Sequence, residues 1–515
     1  MLILRKLRLK YILELRKAVS LKTHAIRCLS STKLTPETQV ATPLIINETY
    51  GQPTSTTHPH LINEGQLVPG VCVEEFRERR SRLMGGLQKF AKENPTNENE
   101  PSKNHLVIIP SACKKFMSDK IPYVFRQNSD FYYLSGCLEP DTVLMISINE
   151  QALVKSTLFM RPKDKHAELW DGPRTGINNA LDMFGVEEAY PSNEFKKILS
   201  SRLKDEKPVL WYDAARADLV QITKDVNDLT ENTIPVKTPV EFIQSMRLFK
   251  SIAEQALMRQ TCQIASEAIN EVIREARPGH SEHHIFAMVD YKCRMRNANY
   301  LAYPPVVASG NNATTIHYIN NTQLTKSGDL VLLDAGCEYG GYTSDITRTW
   351  PINGTFRDEQ KVLYEVLQQI QKELIATIQN EGGETLDNLF ELMCIKMGKY
   401  MQEIGLIPKY ISTSDELAKE GYKFCPHHVS HYLGMDVHDT PLMPRTLRIL
   451  PGMVFTIEPG IYIAHDRIDV PKEFRGIGLR IEDDVLITAN KSVEVLTSSC
   501  IKDRSDIELL FKAKS

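Results

Sequence analysis

The sequence predicts two folded domains of different class, an α/β domain followed by a mixed α+β domain built around an antiparallel sheet. Three observations predict this. The chain has 515 residues, past the size at which one core divides. From residue 105 to about 235, short apolar runs of strand length alternate with helical patterns. After residue 239, long helical patterns give way to strand-rich segments close together in sequence, which fits antiparallel pairing. A composition of 42% hydrophobic and 25% charged residues is that of a soluble globular chain, and a net charge of −3 offers nothing to a nucleic-acid partner. No apolar run approaches the ~20 residues of a bilayer span. Ten cysteines are scattered without a CxxC pair, so neither a disulfide framework nor a zinc knot is expected.

Residues 1–33 are set apart by Arg5, Lys6, Arg8, Lys10, Arg16, Lys17, Lys22, Arg27 and Lys33, with Glu14 the only acid. Basic residues interrupt each apolar stretch, as in a mitochondrial transit peptide and unlike a secretory signal. Residues 34–70, rich in Thr, Pro, Asn and His, read as a linker or extended arm. Residues 71–238 form the α/β domain. Phe76, Leu83, Leu87 and Phe90 recur at helical spacing, and His105–Pro110, Thr142–Ile148, Ser156–Met160 and Val209–Tyr212 are strand-like. Helices are expected at Asn178–Phe184 and Asn193–Lys204. Residues 239–515 form the second domain. It begins with one helical region from Pro239 to about Ala276 and a helix Ser281–Asn297. Strands Asp329–Ala335 and Tyr342–Trp350 precede helices Asp358–Asn380 and Thr385–Ile404. Strand-rich segments Met453–Ile463 and Gly478–Thr488 close the chain.

Four segments of the second domain carry chemistry. Leu330–Leu333 is an apolar strand that ends on Asp334, and Gly340-Gly341 signals a hairpin. A turn centred between Tyr339 and Gly340 puts Asp334 directly opposite Asp345, with Cβ atoms about 5 Å apart. Two buried carboxylates that close repel unless a cation lies between them, and the spacing fits two metals about 3.5–4 Å apart. In MVFTIEPGIYI, Val454, Thr456 and Glu458 share a face by the period of two, and Pro459-Gly460 breaks the strand. In GLRIEDDVLIT, Arg480 and Glu482 share a face, while Asp483 and Asp484 read as turn acids. PHHVSHYLGMDVHD holds His427, His428, His431 and His438. His427 and His431 have the i,i+4 spacing of a zinc helix, without the glutamate of HExxH. Spacing alone does not choose among the four. A ligand set of four carboxylates and one imidazole suits hard divalent ions such as Mn²⁺, with Co²⁺ or Zn²⁺ also accommodated.

The order Asp, Asp, His, Glu, Glu in LLDAG, TSDITRTW, SHYLGMDVHD, FTIEPGIY and RIEDD resembles the pita-bread metallopeptidases: aminopeptidase P, prolidase and methionine aminopeptidase. FRQNSDFYYLSGCLEPDTVLMI and MRLFKSIAEQALM resemble aminopeptidase P in particular, and GQPTSTTHPHLINEGQLVPG resembles the start of its mature mitochondrial members. The resemblance implies a pita-bread catalytic domain behind an aminopeptidase P N-terminal domain. It implies two divalent ions, Mn²⁺ first among them, on Asp334, Asp345, His431, Glu458 and Glu482. It makes His438, Glu458 and His317 catalytic, and puts Tyr303, His317, His431, His438, Tyr462 and Arg480 in the substrate pocket. The implied reaction releases the residue before a second-position proline by attack of a metal-bridging hydroxide. Trimming of one residue from imported mitochondrial proteins is also implied, as is a homodimer, while the basic leader favours a matrix location. The alternatives are an Xaa-Pro dipeptidase and an inactive peptide-binding protein on the same fold.

Overall fold

The computed structural model describes residues 49–94, 104–231, 234–380 and 382–512. The proposed transit peptide lies outside the described residues. The described chain forms two compact units, one reaching Arg247 and the other starting at Leu248.

In the first unit a six-stranded mixed sheet runs in the order Val236–Lys237, Val209–Trp211, His105–Pro110, Val143–Ile148, Val154–Met160, Glu188–Pro191. His105–Pro110 is parallel to one neighbour and antiparallel to the other, and all six of its residues are buried. That explains its unbroken apolar pattern, since a central strand covered on both faces has no solvent side. Phe195, Leu199 and Leu203 of the helix Phe195–Glu206 pack over Leu106, Ile108 and Leu210. The helix Val73–Glu93 buries Phe76, Leu83, Leu87 and Phe90, as their spacing predicts. The described part of the expected arm packs on this unit: Gln52 bonds the Gly136 carbonyl and the Leu138 amide, and Gln66–Val68 pairs with Val71–Cys72. The helix Ser129–Ser135 is too short for a periodic signal; it is set by its caps, with Asn128 accepting from the Phe131 amide and Gly136 left-handed at φ 66°.

The chain differs from expectation where the first unit ends. The single helical region expected from Pro239 is two helices, Val240–Leu248, almost wholly in the first unit, and Ile252–Glu275, in the second, because Ser251 and Glu254 form a capping box that restarts the helix. Asp358–Asn380 and Leu386–Glu403 follow their expected spans closely. Every strand pairing in the second unit is antiparallel, in several short sheets. Val306–Ser309, Leu330–Ala335 and Ile346–Pro351 form one; Val454–Ile457, Asp483–Ile487 and Val493–Val495 another; Gly460–Ile463 and Ile477–Arg480 a third. The expected continuous strands break at Ser344–Asp345, Glu458–Pro459 and Ile481–Glu482. Three carboxylates thus stand in gaps between ladders, where the backbone is free to turn side chains inward. No helix among the described residues is long and apolar enough to cross a membrane.

Candidate metal centre

The hairpin register is two residues away from the one the turn signal suggested. Tyr339 pairs with Tyr342 across Gly340-Gly341, so Asp334 faces Thr347, and Asp345 is its diagonal neighbour. Both glycines have positive φ, 58° and 83°, as a two-residue turn of this kind demands. The two carboxylates still converge, because Tyr303 Oη lies 2.6 Å from Asp334 Oδ1 and 2.5 Å from Asp345 Oδ1. Gly336 makes the approach feasible: a Cβ there would sit 1.7 Å from the Ser344 carbonyl oxygen.

Asp345 uses its second oxygen for His431, whose Nε2 lies 3.4 Å from Oδ2 and 3.5 Å from Glu458 Oε1. His431 Nδ1 is 3.2 Å from the Tyr432 carbonyl, which can only accept, so Nδ1 carries a proton and Nε2 is the ring atom aimed at the carboxylates. Atoms of Asp345, His431 and Glu482 lie within 4.8 Å of one another, close enough to hold one ion. Glu458 follows the strand that carries Thr456, whose Oγ1 is 3.4 Å from Glu458 Oε1 and also takes the His431 amide. Glu482 is held by Thr347, which donates from Oγ1 to Oε2 at 2.7 Å. Arg480 spreads its guanidinium over Asp334 Oδ2 (2.6 Å), Thr347 Oγ1 (3.0 Å) and Tyr462 Oη (2.8 Å). It orients Asp334 directly and Glu482 through Thr347. Thr347 was not singled out from the sequence, although it lies two residues after Asp345 and so on the same face.

The cluster is short of positive charge. Against three buried carboxylates and the half-buried Glu458 stand Arg480 and the His431 imidazole. The single Tyr303 proton can satisfy only one aspartate at a time. Burial, reinforced by Asp345, Glu458 and Asp334, pushes Glu482 well above the usual carboxylate range. Burial likewise lifts Glu458 to about 7 against the pull of His431 and Arg480, and Asp334 rises for the same reason. His431 moves the other way from a simple buried imidazole: burial opposes its charge, yet the hydrogen bond to Asp345 and the charge of Glu458 raise it to about 9. Oxygen donors this crowded fit divalent cations, which would replace the missing charge.

The other sequence candidates divide. His438 stacks edge-on against His431, with ring centroids 4.6 Å apart. His317 is exposed, on the segment after the short 3₁₀ turn Gly310–Thr314. Tyr462 and Tyr303 touch the cluster as described. The PHHVSHYLG stretch is not helical, so the i,i+4 reading of His427 and His431 fails. His427 turns instead to Tyr462 Oη at 2.9 Å, and burial with the Arg480 charge lowers its pKa to about 4. Tyr462 accepts from Arg480, so its own proton goes to His427 Nε2. His428 contacts Asp387 and stacks on Phe390, away from the cluster. Asp483 and Asp484 are not turn acids. Both are fully buried: Asp483 pairs with Arg348 and Lys502, and Asp484 Oδ2 accepts from the Asp345 amide at 3.0 Å and the Cys262 thiol at 3.2 Å.

Residues 256–489 match the metallopeptidase family M24, and residues 76–211 match the aminopeptidase P N-terminal domain. Rat Xaa-Pro aminopeptidase 3 is 42% identical over 473 residues, covering 90% of this chain and 91% of its own. The chain belongs to the aminopeptidase P metallopeptidases. A second relative, the mitochondrial intermediate cleaving peptidase 55 of Arabidopsis thaliana, is 38% identical over 89% of this chain and 87% of its own. Among solved structures, zinc-substituted aminopeptidase P of E. coli in complex with product superposes with a TM-score of 0.76 at 32% identity, covering 86% of this chain and 99% of that one. As in those relatives, an aminopeptidase P N-terminal domain precedes an M24 domain here.

Proposed function

We propose that this enzyme is a metal-dependent aminopeptidase that releases the first residue of peptides with proline second, and that Asp334, Asp345, His431, Glu458 and Glu482 hold two divalent ions, Mn²⁺ by preference. The observation that carries this reading is the buried, charge-deficient carboxylate–imidazole cluster in a chain 42% identical to an Xaa-Pro aminopeptidase over 90% of its length. Ions bound there supply Lewis acidity and an ionised water at neutral pH. The remaining roles belong to the chain. Glu458, at the end of the Val454–Ile457 strand and 3.5 Å from His431 Nε2, is placed to take a proton and deliver it to the proline nitrogen as the peptide bond breaks. His438, beside His431, donates to the oxyanion that develops on the scissile carbonyl. His317 and Tyr303 line the pocket, and Arg480 with Tyr462 keeps the carboxylates in place.

The test is cleavage of an Xaa-Pro-Xaa tripeptide against an Xaa-Pro dipeptide, with metal content measured on the same sample. Turnover of the tripeptide with about two ions per chain supports the reading. Turnover of the dipeptide alone makes the enzyme a prolidase, and none with either makes it a binding protein.

A second role is favoured by the basic, nearly acid-free stretch Met1–Lys33 together with the Arabidopsis relative. In this reading the enzyme resides in the mitochondrial matrix and removes one residue from imported proteins after their leaders are cut. N-terminal proteomics of a deletion strain tests it: mature termini should lengthen by one residue. The active form is proposed to be a homodimer, which light scattering checks.

A further inference from the structure

The His438 ring has no hydrogen bond among the described residues and is exposed, so its aim depends on the backbone that carries it. That backbone is tied down from an unexpected place. Lys250 stands in the break between Val240–Leu248 and Ile252–Glu275, and its Nζ lies 3.3 Å from Asp439 Oδ2. Both side chains are only 1% exposed. The Lys250 backbone is itself fixed, its amide donating to Gly452 and its carbonyl accepting from Gln255.

Asp439 closes the loop on itself. Its amide donates to the Tyr432 carbonyl at 2.9 Å, and its carboxylate packs on Gly434, where a Cβ would sit 2.3 Å from Oδ2 and 3.0 Å from Lys250 Cε. The Gly434 carbonyl takes two donors from Thr343, its amide and its hydroxyl, at 2.8 and 2.9 Å, which locks the loop to the hairpin that bears Asp345. Thr440 is left-handed at φ 46°, costly for a β-branched residue, and buried with its hydroxyl unpartnered. A strained turn persists only where its surroundings over-determine it, and the Lys250–Asp439 pair is such a constraint.

We propose that Lys250 and Asp439 are positioning residues that hold His438 across from His431. The inference rests on the catalytic role given to His438 above. His431 shares the Tyr432 carbonyl with the Asp439 amide, but its own amide is held by Thr456 and neither contact uses the Asp439 carboxylate, so the Lys250–Asp439 ion pair acts on His438 without setting metal affinity.

The experiment measures kcat, KM and metal content for Lys250→Met, Asp439→Asn, the double variant, His438→Ala, and Asp439→Asn combined with His438→Ala. The substrate is an Xaa-Pro-Xaa tripeptide. Asp439→Asn should lower kcat about a hundredfold, as for a displaced catalytic group, with KM within about threefold and metal content unchanged. On the His438→Ala background it should have no further effect, because residues acting through one group are not additive. The double Lys250→Met, Asp439→Asn leaves no lone buried charge, so it folds if a single variant does not, and its kcat should match that of Asp439→Asn. Full kcat in the folded double, a loss that adds to that of His438→Ala, or a loss explained by missing metal would each overturn the inference. If His438→Ala itself keeps full kcat, it is the catalytic assignment that fails.

Discussion

Glu482 and Asp483 are adjacent in sequence, equally buried and opposite in character. Glu482 joins Asp334, Asp345 and Glu458, and burial among those charges raises its pKa far above normal. Asp483 points to the other face. Burial works against its charge, but Arg348 and Lys502 overcome it and hold the pKa at about 2. Arg348, fully buried, further donates to the carbonyls of Thr347, Glu482 and Cys500. One cluster is neutralised by its own chain; in the other, the carboxylates outnumber the cationic groups that the described residues bring to them. Burial of acids alone does not mark a functional site, whereas burial without compensation does. The balanced face also serves the unbalanced one, since Arg348 grips the backbone on which Glu482 rides.

The sharpest way to break this comparison is Asp345→Ala, which removes a carboxylate shared by Tyr303 and His431. Turnover should fall below detection with loss of bound metal, measured by elemental analysis; retained activity would sink the site assignment. On the opposite face, Arg348→Met should cost about 3–5 kcal/mol of stability by leaving Asp483 buried with its compensation reduced. Chemical denaturation reads this, while kcat of the folded fraction should stay within about threefold. A smaller effect is expected for Thr347→Val, which deletes the hydroxyl between Arg480 and Glu482: metal affinity should drop roughly 10–100-fold by calorimetry, as for an outer partner of a ligand.

The smallest effect is in pH. For metal-free protein, Glu458 rises from 4.5 unfolded to about 7 folded, and His431 from 6.5 to about 9. In both cases the folded state binds more protons inside the window, so this stability is complete below the unfolded pKa and is lost as pH rises through the folded one. The Tm of metal-free protein should therefore fall by a few degrees between about pH 5 and 9. Added Mn²⁺ should flatten that slope. The slope should be absent if the cluster is internally neutralised like the Arg348–Asp483 face.

The local patterns of this chain were legible because each rests on short-range physics. The apolar run His105–Pro110, the helical spacing of Phe76 to Phe90 and the span Asp358–Asn380 all follow from periodicity. The five ligand candidates stood out as acids inside apolar strands and a histidine within a cluster, and the family motifs chose among them. Other features needed the folded chain. The hairpin register differs by two residues because Gly340-Gly341 takes both central turn positions. The helix restarts at Ser251 because a cap outweighs a continuous pattern. Asp483 and Asp484 look alike on paper, and only the placement of Arg348, Lys502 and Cys262 makes one a charged partner and the other an acceptor for Asp345.

By itself, then, the sequence nominated the residues proposed to bind metal, through residue type and the family motifs, and the family the chain belongs to, since motifs are local properties. The tertiary structure alone decided which carboxylates meet, which are neutralised, and that Lys250 reaches the turn after His438. Those outcomes depend on contacts between residues as far apart in sequence as Asp334 and Arg480, or Lys250 and Asp439. No periodicity records them.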